Sequence, residues 1–158
     1  MAYFQVDKNP CKNLETADDY FEWAKGCYRE ANAFYKVAIR NSDLLFGEEA
    51  MAVFTNIAFA CELYFKCLLF INEINCAKKH DLFELYKLLP DEEKEKIKQR
   101  HPCTNIPKEQ FELNLEELGK AFIVFRYIYE RKEVAFNAQF LIELAETLRK
   151  NIHDKKLF

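Results

Sequence analysis

Glycine is scarce in this chain, and its scarcity limits what the chain can build more than any other feature does. Only three glycines occur among 158 residues: Gly26, Gly47 and Gly119. Dinucleotide-binding fingerprints, P-loops and nucleophile elbows each need two or more glycines within about six residues. Glycines this far apart form none of these sites, and the lone serine, Ser42, lacks the flanking glycines of a hydrolase. The sequence therefore argues against glycine-loop phosphate sites and serine-hydrolase chemistry.

Few turn-forming residues and many apolar residues predict a helical protein with a large core. The chain has three glycines and four prolines, whereas 50% of its residues are hydrophobic and 15% are aromatic. Four long segments have helical patterns, at about 16–40, 48–73, 108–130 and 136–152, and two short ones lie at about 81–89 and 91–100. Thr16 with Asp19 resembles a capping box at the start of the first long segment, and Asp81 is expected to cap the first short one. We predict one all-α domain over residues 1–158, an up-and-down bundle of four to five helices with a short helical insertion at about 76–107.

Cysteine usage, charge and hydropathy restrict the surroundings and the partners. The six cysteines form no Cys-x-x-Cys pair, so we expect reduced thiols and a cytoplasmic protein. Cys27, Cys61 and Cys67 lie in apolar helix faces and are expected to be small core residues. A net charge of −3 argues against a surface that coats nucleic acid in general, but allows a local basic patch. The most apolar stretch, Ala50 to Ile71, is interrupted by Glu62 and Lys66, so no membrane span is predicted.

Four side chains that flank the predicted insertion have the chemistry of zinc ligands: Cys76, His80, His101 and Cys103. Two thiolates and two imidazoles suit tetrahedral zinc. Their spacing matches none of the usual zinc patterns, however, and a core of this size folds without a metal. We therefore predict no metal and no cofactor.

Charged side chains within apolar helices are the first candidates for a binding site. Glu62 and Lys66 lie on the narrow polar stripe of the second long segment, at i and i+4, and are expected to form an ion pair. That pair lines either a solvated seam or a groove for a partner or ligand. Arg126 lies at the edge of an apolar stripe. There it either forms a salt bridge with Glu130 or Glu62, or binds the carboxylate or phosphate of a ligand.

The last helix contributes a second candidate site. Arg149 and His153 are one turn apart on the same side of this helix. In a ribonuclease, an arginine can stabilise the charge of the phosphorane while a histidine moves the proton. The alternative is an ordinary basic C-terminus whose cations complement the helix dipole.

Three segments in this order resemble the HEPN superfamily of prokaryotic helical bundles. FTNIAFACELYFKCLLF, residues 54–70, is similar to the second long helix of the family. KKHDLFELYKLLP, residues 78–90, resembles its His-Asp-Leu segment ahead of a short helix that ends near proline. FRYIYE, residues 125–130, resembles its Arg-Tyr-x-Tyr-Glu piece. The resemblance implies a bundle of four or five helices that commonly dimerises.

The resemblance also implies a choice of functions. Many members are metal-independent endoribonucleases of toxin–antitoxin, anti-phage or RNA-processing systems, with an Arg-x4–6-His motif from both protomers. Members without that motif bind nucleotides, nucleic acid or partner proteins. Here Arg149 and His153 have three residues between them, and no histidine follows Arg126 or Arg131 at the required distance.

From this departure we predict a degenerate, homodimeric HEPN-like module. It would bind a nucleotide, RNA or a cognate protein partner through a groove of polar side chains: Glu62, Lys66, His80, Arg126, Tyr127 and Glu130. The alternative is an active endoribonuclease that uses Arg149 and His153. A third possibility is an assembly or antitoxin-type protein that acts only through its aromatic surface.

Overall fold

The computed structural model describes residues 14–125 and 135–158, and within these ranges the chain is helical, without strands. Six α-helices occur there: α1 (Ala17–Arg40), α2 (Ala50–Ile71), α3 (Leu82–Leu88), α4 (Asp91–Arg100), α5 (Phe111–Phe125) and α6 (Ala138–Asp154). Short 3-10 turns, Ser42–Phe46 and Lys108–Gln110, follow α1 and precede α5. The predicted all-α class is confirmed.

Helix α1 begins at a reciprocal cap. The Asp19 amide donates to Thr16 Oγ1 at 3.2 Å, and the Thr16 amide donates to Asp19 Oδ2 at 3.0 Å, which is the capping box that the sequence predicts. Along the helix, Ala24, Ala31 and Ala38 are buried at seven-residue intervals. Their small side chains let α1 pack closely on α2.

Helix α2 is the centre of the bundle. It packs against α1, α3, α5 and α6, which explains why so few of its positions are polar. By length and mean hydropathy, 1.5 over its most apolar window, α2 meets the criteria for a helix that crosses a membrane. Because 67% of that window is buried against the rest of the protein, the same composition fits the central helix of a bundle.

Helices α3 and α4 form the predicted insertion. Asp81 caps α3, accepting hydrogen bonds from the amides of Phe83 at 2.9 Å and Glu84 at 3.0 Å. Pro90 separates α3 from α4, since its ring and missing N–H do not fit inside a helix. Helix α3 packs on α2 and α5, whereas α4 packs on α6.

Two contacts outside the apolar core hold the insertion in place. Gly119 of α5 faces the Asp81 cap, and a Cβ atom there would lie only 2.9 Å from Asp81 Oδ1. At the other end, the Lys108 ammonium donates to the carbonyl oxygens of Lys98, Gln99 and His101, at 2.9, 2.7 and 2.8 Å. A cation on the last carbonyls of α4 satisfies groups that the helix itself leaves unpaired.

Candidate functional site

Three of the six predicted groove residues lie together: Glu62 and Lys66 on α2, and His80 in the segment before α3. Lys66 Nζ lies 2.9 Å from Glu62 Oε1, so the predicted ion pair is confirmed, and His80 Nδ1 lies 2.8 Å from the same oxygen. Glu62 and Lys66 are only 4% and 7% exposed, whereas the His80 side chain is 54% exposed. The prediction of a solvated seam is wrong, because the helices around α2 cover even its polar stripe.

The other three predicted groove residues, Arg126, Tyr127 and Glu130, lie outside the described residues. The described half of the groove is a buried ion pair with a half-exposed imidazole above it. As an ionised carboxylate only accepts, His80 donates from Nδ1 to Glu62. Glu62 Oε1 therefore serves both Lys66 and His80 inside the fold.

The thiols near this pair have no features of nucleophiles. Burial raises the pKa of Cys27 to about 11 and that of Cys76 to about 12, although Lys66 lowers both. Burial also raises the pKa of Cys61 and Cys67 far above its usual value, and both side chains are fully buried. Since the thiolate is the reactive form, these cysteines act as small core residues, as the sequence predicts for Cys27, Cys61 and Cys67.

The four side chains with zinc-ligand chemistry do not form one cluster, although His101 Nδ1 lies 3.2 Å from Cys103 Sγ. His80 bonds to Glu62, while His101 lies in the core between the rings of Phe111 and Phe140. Among the described residues, no group of three or more histidines, cysteines and carboxylates is placed to hold a metal ion.

His101 is instead part of a buried hydrogen-bond network. Its Nδ1 accepts from the Cys103 amide at 3.0 Å, and its Nε2 donates to the Phe140 carbonyl oxygen at 3.2 Å. Desolvation lowers the pKa of His101. The Phe140 carbonyl and Glu143 favour the cation and so raise the pKa, but their effect is smaller. The ring is therefore held neutral, with its proton on Nε2.

Arg149 and His153 occupy a different side of the bundle, on α6. The Arg149 side chain is half-buried, and its guanidinium carbon lies 5.3 Å from the centre of the Tyr35 ring on α1. In the described part of the chain, Arg149 Nε is buried without a hydrogen-bond partner, and the guanidinium forms no ion pair. His153, one turn further on, is exposed.

The surroundings of Arg149 are aromatic and polar. Tyr64 on α2 donates its hydroxyl to Asn32 Oδ1 at 2.8 Å. Burial raises the pKa of both Tyr35 and Tyr64, and Arg149 is close enough to act against this rise in each case. We call this arrangement of Arg149, Tyr35 and Tyr64 the arginine site. A guanidinium held beside a ring, with its Nε unpaired, is suited to an oxyanion.

No family model, no curated protein and no solved structure matches this chain. The resemblance to HEPN proteins stays a prediction that rests on its three segments. In the described part of those segments, the structure gives the polar residues structural contacts: Asp81 caps α3, and Glu62 pairs with Lys66 and His80.

Proposed function

We propose that this protein is a HEPN-like binding module that takes the phosphate of a nucleotide or of RNA at the arginine site. One observation carries the proposal. The half-buried guanidinium of Arg149 has an unpaired Nε and no carboxylate partner in the described part of the chain. A desolvated cation of this kind is stabilised by an anion, and phosphate oxygens match the fork of the guanidinium.

Neighbouring cations support the choice of Arg149. Lys150 pairs with Glu146 at 2.8 Å, and Arg100 pairs with Asp154 at 2.8 Å, so the protein already compensates the charge of both. Lys66 is paired and buried. Arg149 retains its capacity to donate, and the absence of glycine-rich loops leaves phosphate binding to side chains on helices.

Equilibrium binding by calorimetry tests this function, with ATP and a short single-stranded RNA as probes. We expect Arg149→Met to weaken binding at least tenfold, because methionine fills the space without donating. Arg29→Met is the matched control, since Arg29 lies on α1 and pairs with Glu30 at the surface. Equal affinities of wild type and Arg149→Met, or no binding by wild type, would contradict the proposal.

A homodimer belongs to the proposal because the resemblance implies one. Sedimentation equilibrium is expected to give twice the mass of the chain at micromolar concentration. A single-chain mass at every concentration would remove the dimer while leaving the arginine site untouched.

Catalysis is a second candidate function, and one observation favours it. Arg149 and His153 lie on the same side of α6, and the imidazole is exposed to a substrate. Labelled RNA incubated with the protein and excess chelator separates the two functions. Cleavage that survives chelation and is lost in His153→Ala would establish a metal-independent endoribonuclease. Intact RNA would leave binding as the only one of the two functions.

A further inference from the structure

A cleft between α4 and the last turns of α6 has a volume of about 500 Å³, which is enough for a small molecule. Charged side chains line it, together with the amides of Gln99 and Asn151. The cations are Lys96, Arg100 and Lys155, and the carboxylates are Glu93 and Asp154. Asn151 and Arg149 are two positions apart, about 200° around α6, so the cleft and the arginine site lie on different faces of the helix.

The cations of the cleft are paired, but the pairs leave donors unused. Arg100 Nη2 lies 2.8 Å from Asp154 Oδ2, and Lys96 Nζ lies 2.7 Å from Glu92 Oε1. Lys155 bonds to Glu93. A guanidinium has five N–H donors and an ammonium three, so each cation can add a hydrogen bond without breaking its pair.

Asn151 supplies an independent observation that points to a ligand. The residue is only 8% exposed, and its buried Nδ2 has no hydrogen-bond partner within the described ranges. Leaving a buried donor without a hydrogen bond costs about 1–3 kcal/mol. The terminal torsion of asparagine is broad and roughly two-fold, so the amide can turn its NH₂ group toward the cleft. The missing partner is a hydrogen-bond acceptor.

We propose that this cleft binds a small oxyanion of the phosphate class. Asn151 donates from the floor of the cleft, and Arg100 and Lys155 donate from its walls. Because each of the three cations is already paired, the preference for an anion comes from their unused donors and from the Asn151 NH₂ group, which together suit several acceptor oxygens. The volume accepts inorganic phosphate and also the organic part of a phosphate monoester. The site uses none of the residues of the arginine site, so neither proposal depends on the other.

Titration of the ¹⁵N-labelled protein, followed by NMR, tests this site in the wild type. The probes are inorganic phosphate and glucose 6-phosphate, at an ionic strength held constant with sodium chloride. We expect saturable shifts of the Asn151 side-chain NH₂ group and of the amides at the end of α4. Tighter binding of the sugar phosphate identifies a monoester site, and tighter binding of phosphate identifies a site for the free anion.

Variants separate binding from folding. Asn151→Leu and Asn151→Asp are each expected to weaken binding at least tenfold, the first because it removes the donor and the second because it repels the anion. Arg149→Met is expected to leave unchanged the affinity of the cleft, as read from the amides at the end of α4. The proposal is overturned by shifts that chloride alone reproduces, or by saturable binding that both Asn151 variants retain. It is also overturned by a loss of binding in Arg149→Met that matches the loss in Asn151→Leu.

Discussion

The α2 ion pair and the arginine site both hold a cation inside a helical bundle, yet they differ in what surrounds it. Lys66 is 7% exposed and lies 2.9 Å from a carboxylate that also bonds to His80. Arg149 is less buried, lies against the Tyr35 ring and has no ion pair among the described residues. A buried cation whose partner belongs to the fold serves stability. A cation without one is available to a ligand.

Breaking the α2 ion pair is expected to have the largest effect on stability. Lys66→Met removes the ammonium and leaves Glu62 buried with less compensation for its charge, at a cost of about 3 kcal/mol. Arg149→Met is expected to change the free energy of unfolding by less than about 1 kcal/mol. There the lost cation–π contact is offset by removal of an unpaired donor.

Urea unfolding monitored by circular dichroism measures both variants. Lys25→Met is the control for an exposed pair, because Lys25 lies 4.0 Å from Glu22 at the surface, and its effect should stay within about 0.5 kcal/mol. A larger loss in Arg149→Met than in Lys66→Met would reverse the roles assigned to the two cations.

A second test concerns Asp81, another polar group that is satisfied within the fold. Gly119→Ala places a Cβ atom 2.9 Å from Asp81 Oδ1 and so displaces the cap of α3. Gly26→Ala meets no atom within 4 Å and should stabilise α1 by about 0.5–1 kcal/mol through helix propensity. We expect the two alanine variants to differ by about 1–2 kcal/mol.

Thermal unfolding of the two glycine variants checks this difference. In an Asp81→Ala background the obstacle is absent, so Gly119→Ala should then be as favourable as Gly26→Ala. Equal effects of the two alanine substitutions in the wild-type background would mean that Gly119 does not protect the cap.

The smallest expected effect is a pH dependence that arises from His101. The pKa of His101 is lowered in the folded protein from its usual value of 6.5. As the pH falls below 6.5, the unfolded chain therefore binds a proton at this histidine more readily than the folded protein does. Stability from this group is therefore complete above about pH 6.5 and is lost as pH falls, by at most about 1.4 kcal/mol per pH unit. Glu143 and Lys108 act on the same ring in opposite directions.

Free energies of unfolding, measured at steps of about half a pH unit between about pH 7.5 and 5.5, follow this titration. His101→Gln keeps a donor for the Phe140 carbonyl and should flatten the profile. His153→Gln, on an exposed histidine, is the matched control and should leave the slope as in the wild type. An unchanged slope in His101→Gln would exclude His101 as its source.

Local patterns in the sequence were enough to predict the helices and their caps. The Thr16–Asp19 capping box, the Asp81 cap and helix 91–100 each depend on neighbouring residues, and the structure has all three. The Glu62–Lys66 pair was also predictable from its i, i+4 spacing. Its burial was not, because that depends on which helices surround α2.

Contacts between distant segments escaped prediction. The sequence offers His101 as a zinc ligand, whereas in the structure its Nε2 donates to the Phe140 carbonyl, 39 positions away. The unsatisfied Asn151 had no signal in the sequence, since an amide on a basic helix is ordinary. The sequence offers Arg149 as a candidate. Its contact with the Tyr35 ring joins α6 to α1, however, and such a contact between distant segments is visible only in the fold.

The NMR signal of the Arg149 Nε–H group tests the central claim most directly, because it reports on the guanidinium itself. Titration of the ¹⁵N-arginine-labelled protein with ATP or a short single-stranded RNA is expected to move this signal saturably, and Arg149→Lys identifies it by its absence. The Arg29 signal should stay in place. Binding of either ligand that leaves the Arg149 signal unmoved would contradict the assignment of phosphate binding to the arginine site.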